Sequence, residues 1–205
     1  MHKKIIGIYL AAGKSTRFKQ DKLSVSIRDK YLGSIALKEA LHAALDYVVV
    51  VMNQNKLPTW LSQDFSPYEA RKLAVTVCRC SENGQAYSLQ QGLHKARAID
   101  QDAAIMVMLA DQPFVTRSQI NDMIDLYQQK EDLKCIGLKH TYISPPVIIT
   151  PYLFTEIFRL TGDEGARKII EKYRHESYFL SENDPKVFVD IDTQADFHKW
   201  KHSFI

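Results

Sequence analysis

Residues 4–22 have the sequence KIIGIYLAAGKSTRFKQDK, in which an apolar run is followed at once by a loop of small and basic residues. The run from Lys4 to Leu10 has the continuous apolar character of a strand covered on both faces. Small side chains at the start of the loop let the backbone approach a ligand closely, and its free N–H groups can bind phosphate oxygens. Arg17 and Lys22 add two positive charges. This stretch therefore predicts a strand that leads into an anion-binding loop.

Two better-known phosphate-binding patterns do not match this loop. Gly13-Lys14-Ser15 is similar to the end of a P-loop, but that pattern needs a glycine five residues before Gly13, where Ile8 stands. The pattern of three spaced glycines that binds dinucleotides is also missing. A basic surface loop without a ligand is the remaining alternative.

Short apolar segments alternate with amphipathic ones along the rest of the chain. We expect further strands at Tyr47–Met52, Leu73–Cys78, Ala103–Leu109, Lys134–Leu138, Val147–Thr150 and Val187–Val189, with an interruption at Pro145-Pro146. We expect helices at Ser34–Leu45, Tyr87–Ala98, Thr116–Gln129 (capped by Thr116 or Ser118), Pro151–Leu160, Glu164–Tyr173 and Thr193–Lys201. This alternation predicts a Rossmann-like three-layer αβα sandwich with a mostly parallel sheet, as one domain over residues 1–205. Such sheets bind ligands beyond the carboxyl ends of their strands.

Composition limits the function classes. The net charge of +3 over 205 residues is too small to indicate nucleic-acid binding, but it suits a site for phosphates. Three cysteines with no paired spacing argue against a disulfide framework and for a reducing compartment. The apolar run near the N-terminus is too short for a signal peptide or a membrane span. We therefore expect a cytoplasmic protein that binds neither nucleic acid nor a membrane.

A lone carboxylate ends the predicted strand Ala103–Leu109. Asp111 follows it within the segment Leu109-Ala110-Asp111-Gln112-Pro113. An aspartate at the carboxyl end of a parallel strand would lie beside the first loop, and Mg2+ typically binds one or two carboxylates together with phosphates. Asp111 is therefore a candidate metal ligand; the alternative is an aspartate that caps the following turn.

A second acidic segment lies near the end of the chain. Asp190 and Asp192 are two residues apart and would point the same way if the preceding strand continued. Either is a candidate second Mg2+ ligand. The alternative is that Asp192 or Thr193 caps the last helix.

The segment Asn83–Leu93 opens a predicted helix after the third strand. Gly84 permits a sharp turn, and free N–H groups beside Gln85 and Ser88 can bind a base edge or a phosphate. The alternative for Ser88 is that it caps its own helix.

Taken together, these segments resemble the nucleotidyltransferases that mature molybdenum cofactors. Their opening pattern is Leu-Ala-Ala-Gly-x-Ser-x-Arg-(Met/Phe)-Gly-x-x-Lys, and this sequence departs from it at Lys19, where the family usually has Gly. The family also has Leu-Ala-Asp-x-Pro, Gly-x-x-x-Ser-Leu-x-x-Gly-Leu, Gly-Asp-x-Gly-Ala-Arg and Asp-Ile-Asp-Thr-Pro-x-Asp segments. Here Gln194 replaces the proline of the last one, and Ser144-Pro145-Pro146 replaces the usual Gly-(His/Asn)-Pro.

The resemblance implies roles for these residues. Leu10, Ala11, Ala12, Gly13, Ser15, Gly84, Gln85 and Ser88 would bind the nucleotide, while Arg17 and Lys22 would hold its triphosphate. Asp111, with Asp190 or Asp192, would bind Mg2+. Gly162, Asp163 and Arg167 would lie on the acceptor side, where Arg167 could pair with a pterin phosphate; the alternative is a surface arginine.

The activity implied is that of a molybdenum cofactor cytidylyltransferase, which transfers CMP from CTP to molybdopterin and releases pyrophosphate. Members of this kind serve molybdoenzymes such as xanthine dehydrogenase. The Ala11-Ala12 pair is similar to CTP-using members, since GTP-using relatives more often have Leu-Ala-Gly-Gly. Two alternatives stay open: a sugar-phosphate or isoprenoid-precursor nucleotidyltransferase, and an accessory protein that delivers the cofactor without catalysis.

Overall fold

The computed structural model describes residues 2–13, 18, 21–54, 56–61, 65–140 and 143–204. Within these ranges the strands are β1 (Ile5–Leu10), β2 (Ser26–Ile27), β3 (Lys30–Tyr31), β4 (Tyr47–Met52), β5 (Leu73–Val77), β6 (Ala104–Leu109), β7 (Cys135–Lys139), β8 (Ile143–Ile149) and β9 (Tyr178–Ser181). The helices are α1 (Leu32–His42), α2 (Pro67–Lys72), α3 (Gln85–Ile99), α4 (Arg117–Gln129), α5 (Phe154–Phe158), α6 (Ala166–Lys172) and α7 (Gln194–Trp200).

The main sheet has seven strands in the order β5-β4-β1-β6-β8-β7-β9. Each neighbouring pair is parallel except those of β8, which runs antiparallel to both β6 and β7. β2 and β3 form a separate antiparallel hairpin. The mostly parallel α/β sheet predicted from the sequence is confirmed.

Side chains of β1 alternate between the two faces of the sheet, as a strand requires. Ile5 and Tyr9 pack into a core with residues of α1 and α4, whereas Ile6 and Ile8 pack into a second core with residues of α3, α5 and α6. The two cores place a helical layer on each face of the sheet. A smaller cluster around Phe18, Ile191 and Phe204 includes residues of α7 at its edge.

The predicted interruption at Pro145-Pro146 is wrong, because β8 runs through both prolines. Gly137 of β7 is opposite Val147, and Leu138 is opposite Ser144, so the prolines are the extra residues of a bulge between these pairs. Proline has no N–H to donate, and a bulge is where a strand tolerates it.

Near the end of the chain, one predicted strand is wrong and one observed strand has no counterpart in the prediction. The predicted strand at Val187–Val189 is replaced by a 3-10 turn over Pro185–Phe188, which begins with a proline and is capped by the Asp184 side chain. Proline sets the backbone angle for such a turn, which explains why the apolar residues there do not extend. β9, in contrast, was not predicted; it pairs with β7 at the edge of the sheet.

Thr116 is the N-cap of α4, and its Oγ1 accepts a hydrogen bond from the Gln119 N–H. This was one of the two caps expected. None of the helices in the described part of the chain has the length and apolar character that a membrane crossing requires.

Candidate active site

The carboxyl ends of two neighbouring strands, β1 and β6, lie side by side in the middle of the sheet. β1 lies between β4 and β6, with Leu10 opposite Val51 on one side and Leu109 on the other. The direction of strand addition reverses here, because β4 and β5 extend the sheet to one side of β1 and β6 begins the other. Crevices at such reversals are where parallel α/β sheets bind ligands.

A cavity of about 250 Å³ opens at this crevice, between the ends of β1 and β6 and the start of α3. Its lining includes Leu10, Ala11, Ala12, Gly13, Lys22, Leu23, Ser81, Glu82, Gly84, Gln85, Ser88, Leu109, Ala110, Asp111 and Asp163. Ser15 and Arg17 lie outside the described residues. Every other residue predicted to bind the nucleotide lines this one cavity.

Lys22 forms the charged end of the cavity. Its Nζ lies 2.7 Å from Oδ2 of Asp111 and 2.8 Å from Oδ1 of Asp192, and the lysine side chain is 10% exposed. Burial alone would lower the pKa of Lys22, but the charges of Asp111 and Asp192 raise it above its ordinary value. The ammonium group is therefore held in its charged form between two carboxylates.

The acidic segment near the end of the chain is joined to Asp111 through the backbone. The Ile191 N–H donates to the Asp111 carbonyl at 2.9 Å. Asp190 accepts a hydrogen bond at Oδ1 from Gln112 Nε2 at 2.9 Å. Although Asp190 as a residue is exposed, partial burial of its carboxylate and the nearby charge of Asp111 raise the pKa of Asp190 to about 6.

The three predicted metal ligands do not form a ready-made metal site. Within the described ranges, no three His, Cys, Asp or Glu side chains lie close enough together to hold a metal ion. Asp111 and Asp192 both contact Lys22, whereas Asp190 accepts a hydrogen bond from Gln112. Asp190 and Asp192 do not point the same way because the segment before them is a turn and not the expected strand. Mg2+ typically needs only one or two carboxylates when phosphate oxygens complete its shell. A pair from this acidic group therefore fits a metal ion that arrives with a nucleotide.

Two alternatives based on helix capping are decided by the structure. Gly84, rather than Ser88, is the N-cap of α3, and Ser88 lies buried inside the helix. Thr193 is the N-cap of α7, with the Asp196 N–H donating to its Oγ1 at 3.1 Å. The Asp192 carboxylate is therefore not used as a cap and contacts Lys22 instead.

The start of α3 is in contact with the segment predicted to lie on the acceptor side. Gly84 has φ +127°, and a Cβ at this position would lie 2.1 Å from the carbonyl carbon of Gly162. The Ala86 N–H donates to the Gly162 carbonyl at 3.0 Å. Since Asp163 also lines the cavity, the structure places Gly162 and Asp163 beside the predicted nucleotide-binding residues.

Arg167 lies elsewhere. Its Nε donates to Oε1 of Glu171, one turn further along α6, at 2.8 Å, and its side chain is 65% exposed. It is not among the residues that line the cavity. The structure thus places Arg167 on the exposed surface of a helix, which is the alternative to a role in acceptor binding.

The match of residues 7–177 to the MobA-like NTP transferase domain covers most of the chain. The chain belongs to this family. Two relatives align over nearly the whole of this MobA-like chain. "Purine catabolism protein PucB" of Bacillus subtilis (strain 168) is 31% identical over 199 residues, covering 94% of each protein. "Probable molybdenum cofactor guanylyltransferase" of Thermococcus sibiricus is 23% identical over 205 residues, covering 96% of this chain and 97% of the relative.

Solved structures agree with the MobA-like fold. The crystal structure of Rv0371c from Mycobacterium tuberculosis H37Rv has a TM-score of 0.80 and 24% identity, covering 98% of this chain and 100% of that one. A structure of Rv0371c in complex with manganese has a TM-score of 0.73 and 23% identity, again covering 98% and 100%. At these identities the likeness establishes the fold.

Three polar residues of this MobA-like site were not singled out from the sequence. Ser81 and Glu82 line the cavity just after β5, in one of the loops that the sheet rule indicates. Gln112 follows Asp111 directly, but its bond to Asp190 joins positions 78 residues apart, which spacing alone cannot reveal.

Proposed function

We propose that this MobA-like nucleotidyltransferase transfers CMP from CTP to the terminal phosphate of molybdopterin and releases pyrophosphate. The observation that carries the proposal is the Lys22–Asp111 pair, a buried cation and a carboxylate 2.7 Å apart in the cavity at the ends of β1 and β6. A phosphate-binding charge and a metal-binding charge are the two components that phosphoryl chemistry needs.

The reaction asks for positioning and charge neutralisation rather than covalent chemistry by the protein. An oxygen of the acceptor phosphate attacks the α-phosphorus of CTP, a new P–O–P bond forms, and the bond to the β-phosphate breaks as pyrophosphate leaves. Lys22 and Arg17 hold the triphosphate, and their positive charges stabilise the negative charge that develops on its oxygens. On triphosphate binding, the Lys22 ammonium exchanges carboxylate partners for phosphate oxygens.

Mg2+ is the metal we propose, held by Asp111 together with Asp190 or Asp192. When bound, it supplies positive charge to the phosphate oxygens. The chemistry of the donors supports this choice, because carboxylate oxygens suit hard divalent ions. Rv0371c, which shares the fold, has been crystallised in complex with manganese, another divalent ion.

CTP is the nucleotide we propose, on the basis of the Ala11-Ala12 pair. Both alanines line the cavity, and Ala12 packs into the core beneath it. GTP is the alternative to test, since the relative from Thermococcus sibiricus is named a guanylyltransferase.

For the acceptor side we propose Gly162 and Asp163, which adjoin the start of α3. Molybdopterin as the acceptor is supported by the molybdenum cofactor relative. A downstream molybdoenzyme such as xanthine dehydrogenase is supported by the purine catabolism relative from Bacillus subtilis. We further propose that the chain acts as a single domain in the cytoplasm.

The test is pyrophosphate release by the purified protein with Mg2+ and molybdopterin, comparing CTP, GTP and ATP. We expect release with CTP and little with the other two. Release with GTP would change the nucleotide only. Release with CTP and a sugar phosphate or isoprenoid precursor, but not with molybdopterin, would identify a different transferase. No release from folded protein with active acceptor would indicate a cofactor-delivery protein.

A further inference from the structure

Gln112 is a fully buried polar residue beside the acidic group. It follows Asp111 directly and is 0% exposed. Its Nε2 donates to Oδ1 of Asp190 at 2.9 Å and to Oγ of Ser144, in β8, at 3.3 Å. Its Oε1 is buried and has no hydrogen-bond partner. Within the described residues, it is the only buried side-chain polar atom in this condition.

The orientation of this amide has a clear electrostatic cause. Rotating the amide by half a turn would place Oε1 against the Asp190 carboxylate, with one acceptor facing another. A hydrogen bond from an amide N–H to a charged carboxylate is stronger than one to a neutral group. The Asp190 contact therefore determines the orientation, even though a buried carbonyl without a partner costs free energy.

Other glutamine amides also join separate parts of the fold, but within the described residues only Gln112 is both fully buried and left with an unpartnered Oε1. Gln90 Nε2 donates to the carbonyls of Ile157 and Leu160, and Gln91 Nε2 donates to Thr76 Oγ1. Each of these amides joins structural elements away from the acidic group. Gln119 Nε2 also donates to a loop carboxylate, that of Glu182, but Gln119 is only partly buried. Gln112 directs a fully buried donor to Asp190, a residue that no strand or helix holds in place.

We propose that Gln112 is a positioning residue, whose amide holds the Asp190 carboxylate in the orientation that binds the divalent metal of the nucleotide complex. The inference rests on the proposed function, since it assigns Asp190 to the metal. The bond to Ser144 ties the same amide to β8, so that the acidic segment has a fixed point on the sheet. Partners that orient a metal-binding side chain typically contribute a factor of about 10–100 to metal affinity.

The test is direct calorimetric titration of Mn2+ into the protein in the presence of CTP and without acceptor. Gln112→Met removes the amide at similar size, and Gln112→Asn keeps an amide too short to reach Asp190. Both should raise the Kd for Mn2+ by about 10-fold to 100-fold. Asp190→Asn should raise it as well, and adding Gln112→Met to that variant should cause little further loss, because the two residues act through one contact. Gln91→Met, which removes an amide bond elsewhere, is the matched control and should bind as the wild type does.

Three results would overturn the inference. The first is wild-type affinity in both Gln112 variants, and the second is an equal loss in Gln91→Met, which would indicate a general structural effect. The third is full additivity of Gln112→Met with Asp190→Asn. Circular dichroism establishes whether each variant is folded. If Gln112→Met does not fold, the Kd of Gln112→Asn for Mn2+ tests the inference. If the wild type itself bound no Mn2+ with CTP, the proposed function would fail together with this inference. If the wild type bound Mn2+ and both Gln112 variants bound it with the same Kd, the inference alone would fail.

Discussion

Lys22 and Asp111 are 89 positions apart in the chain, yet the lysine Nζ lies 2.7 Å from the aspartate Oδ2. Each residue follows one of two adjacent parallel strands, so the sheet itself brings them together. With Asp192 also bound to Lys22, the charge of the acidic group is partly neutralised by the protein before any nucleotide or metal arrives.

Replacing Lys22 by Met removes a positive charge from the cavity while keeping most of the side-chain volume. Loss of one group that stabilises developing charge typically lowers the rate by about 10²–10³-fold, and we expect a loss of this size in pyrophosphate release. Lys201→Met, at an exposed position after α7, is the control and should retain activity. Comparable activity in the two variants would contradict the role of Lys22.

The same Lys22→Met variant should respond differently to metal in a thermal melt. Without the ammonium, Asp111 and Asp192 lose their shared partner, and the free energy of unfolding falls. A divalent ion can restore the neutralisation, so Mg2+ should raise the Tm of Lys22→Met more than that of the wild type. An equal rise in both proteins would show that Lys22 and the ion do not act on the same carboxylates.

Asp111→Asn distinguishes a catalytic role of the protein from a role in delivering the cofactor without catalysis. The change keeps the size of the side chain and removes the charge that we assign to the metal, so we expect pyrophosphate release to fall by at least about 10²-fold. Asp125→Asn, on the exposed side of α4, should have no effect. Full activity of the protein in cells with Asp111→Asn would instead support a non-catalytic delivery role.

Gly84→Ala and Gly162→Ala form a matched pair, because both glycines have positive φ but only one is crowded. A Cβ at Gly162 would meet nothing within 4 Å, so only the strain of the left-handed backbone remains, about 1–2 kcal/mol. A Cβ at Gly84 would lie 2.1 Å from backbone atoms of Gly162, so the loss in free energy of unfolding should be clearly larger. Urea denaturation measures the free energy of unfolding of each variant. Equal decreases would mean that the backbone at Gly162 can shift to accommodate a Cβ at Gly84 at little cost.

The pKa of Asp190 predicts a pH dependence of stability in metal-free buffer. The folded chain holds this proton up to about pH 6, whereas the unfolded chain releases it near the ordinary value of 3.8. Because the folded state binds more protons between these values, this group makes the free energy of unfolding decrease as pH rises from about 4 to about 6, with no further change above that.

Asp190→Asn removes that contribution. The Tm of Asp190→Asn relative to that of the wild type should increase as pH rises, so that the difference is larger at about pH 7.5 than at about pH 4.5. Differential scanning fluorimetry across this range, with a chelator present, is the measurement. Parallel curves for the two proteins would show that the carboxylate titrates near its ordinary value.

Much of the fold was predictable because its signals are local. The valine-rich run at Tyr47–Met52 forms a strand with the predicted bounds, and Thr116 caps α4 as expected. The predictions failed where tertiary context outweighs composition. At Pro145-Pro146 a bulge accommodates two residues that would otherwise interrupt a strand, and at Pro185–Phe188 a proline and a capping aspartate turn an apolar segment away from the sheet.

The site was predictable to the extent that its residues follow strands. Lys22, Asp111 and Gly84 lie in the segments that follow β1, β6 and β5, and the parallel sheet brings the segments at these strand ends together. The bond between Gln112 and Asp190 and the outward position of Arg167 depend on how loops and short helices pack, which a pattern of residue types does not encode.

The close approach of Gly84 and Gly162 has a consequence for redesign. Because Gly84 fits against the Gly162 backbone only without a side chain, the two segments form a close backbone joint beside the cavity. A library that seeks new acceptors should therefore keep this joint and the hydrogen bond from Ala86 intact. Diversity can then be introduced at Asp163, an exposed residue that lines the cavity.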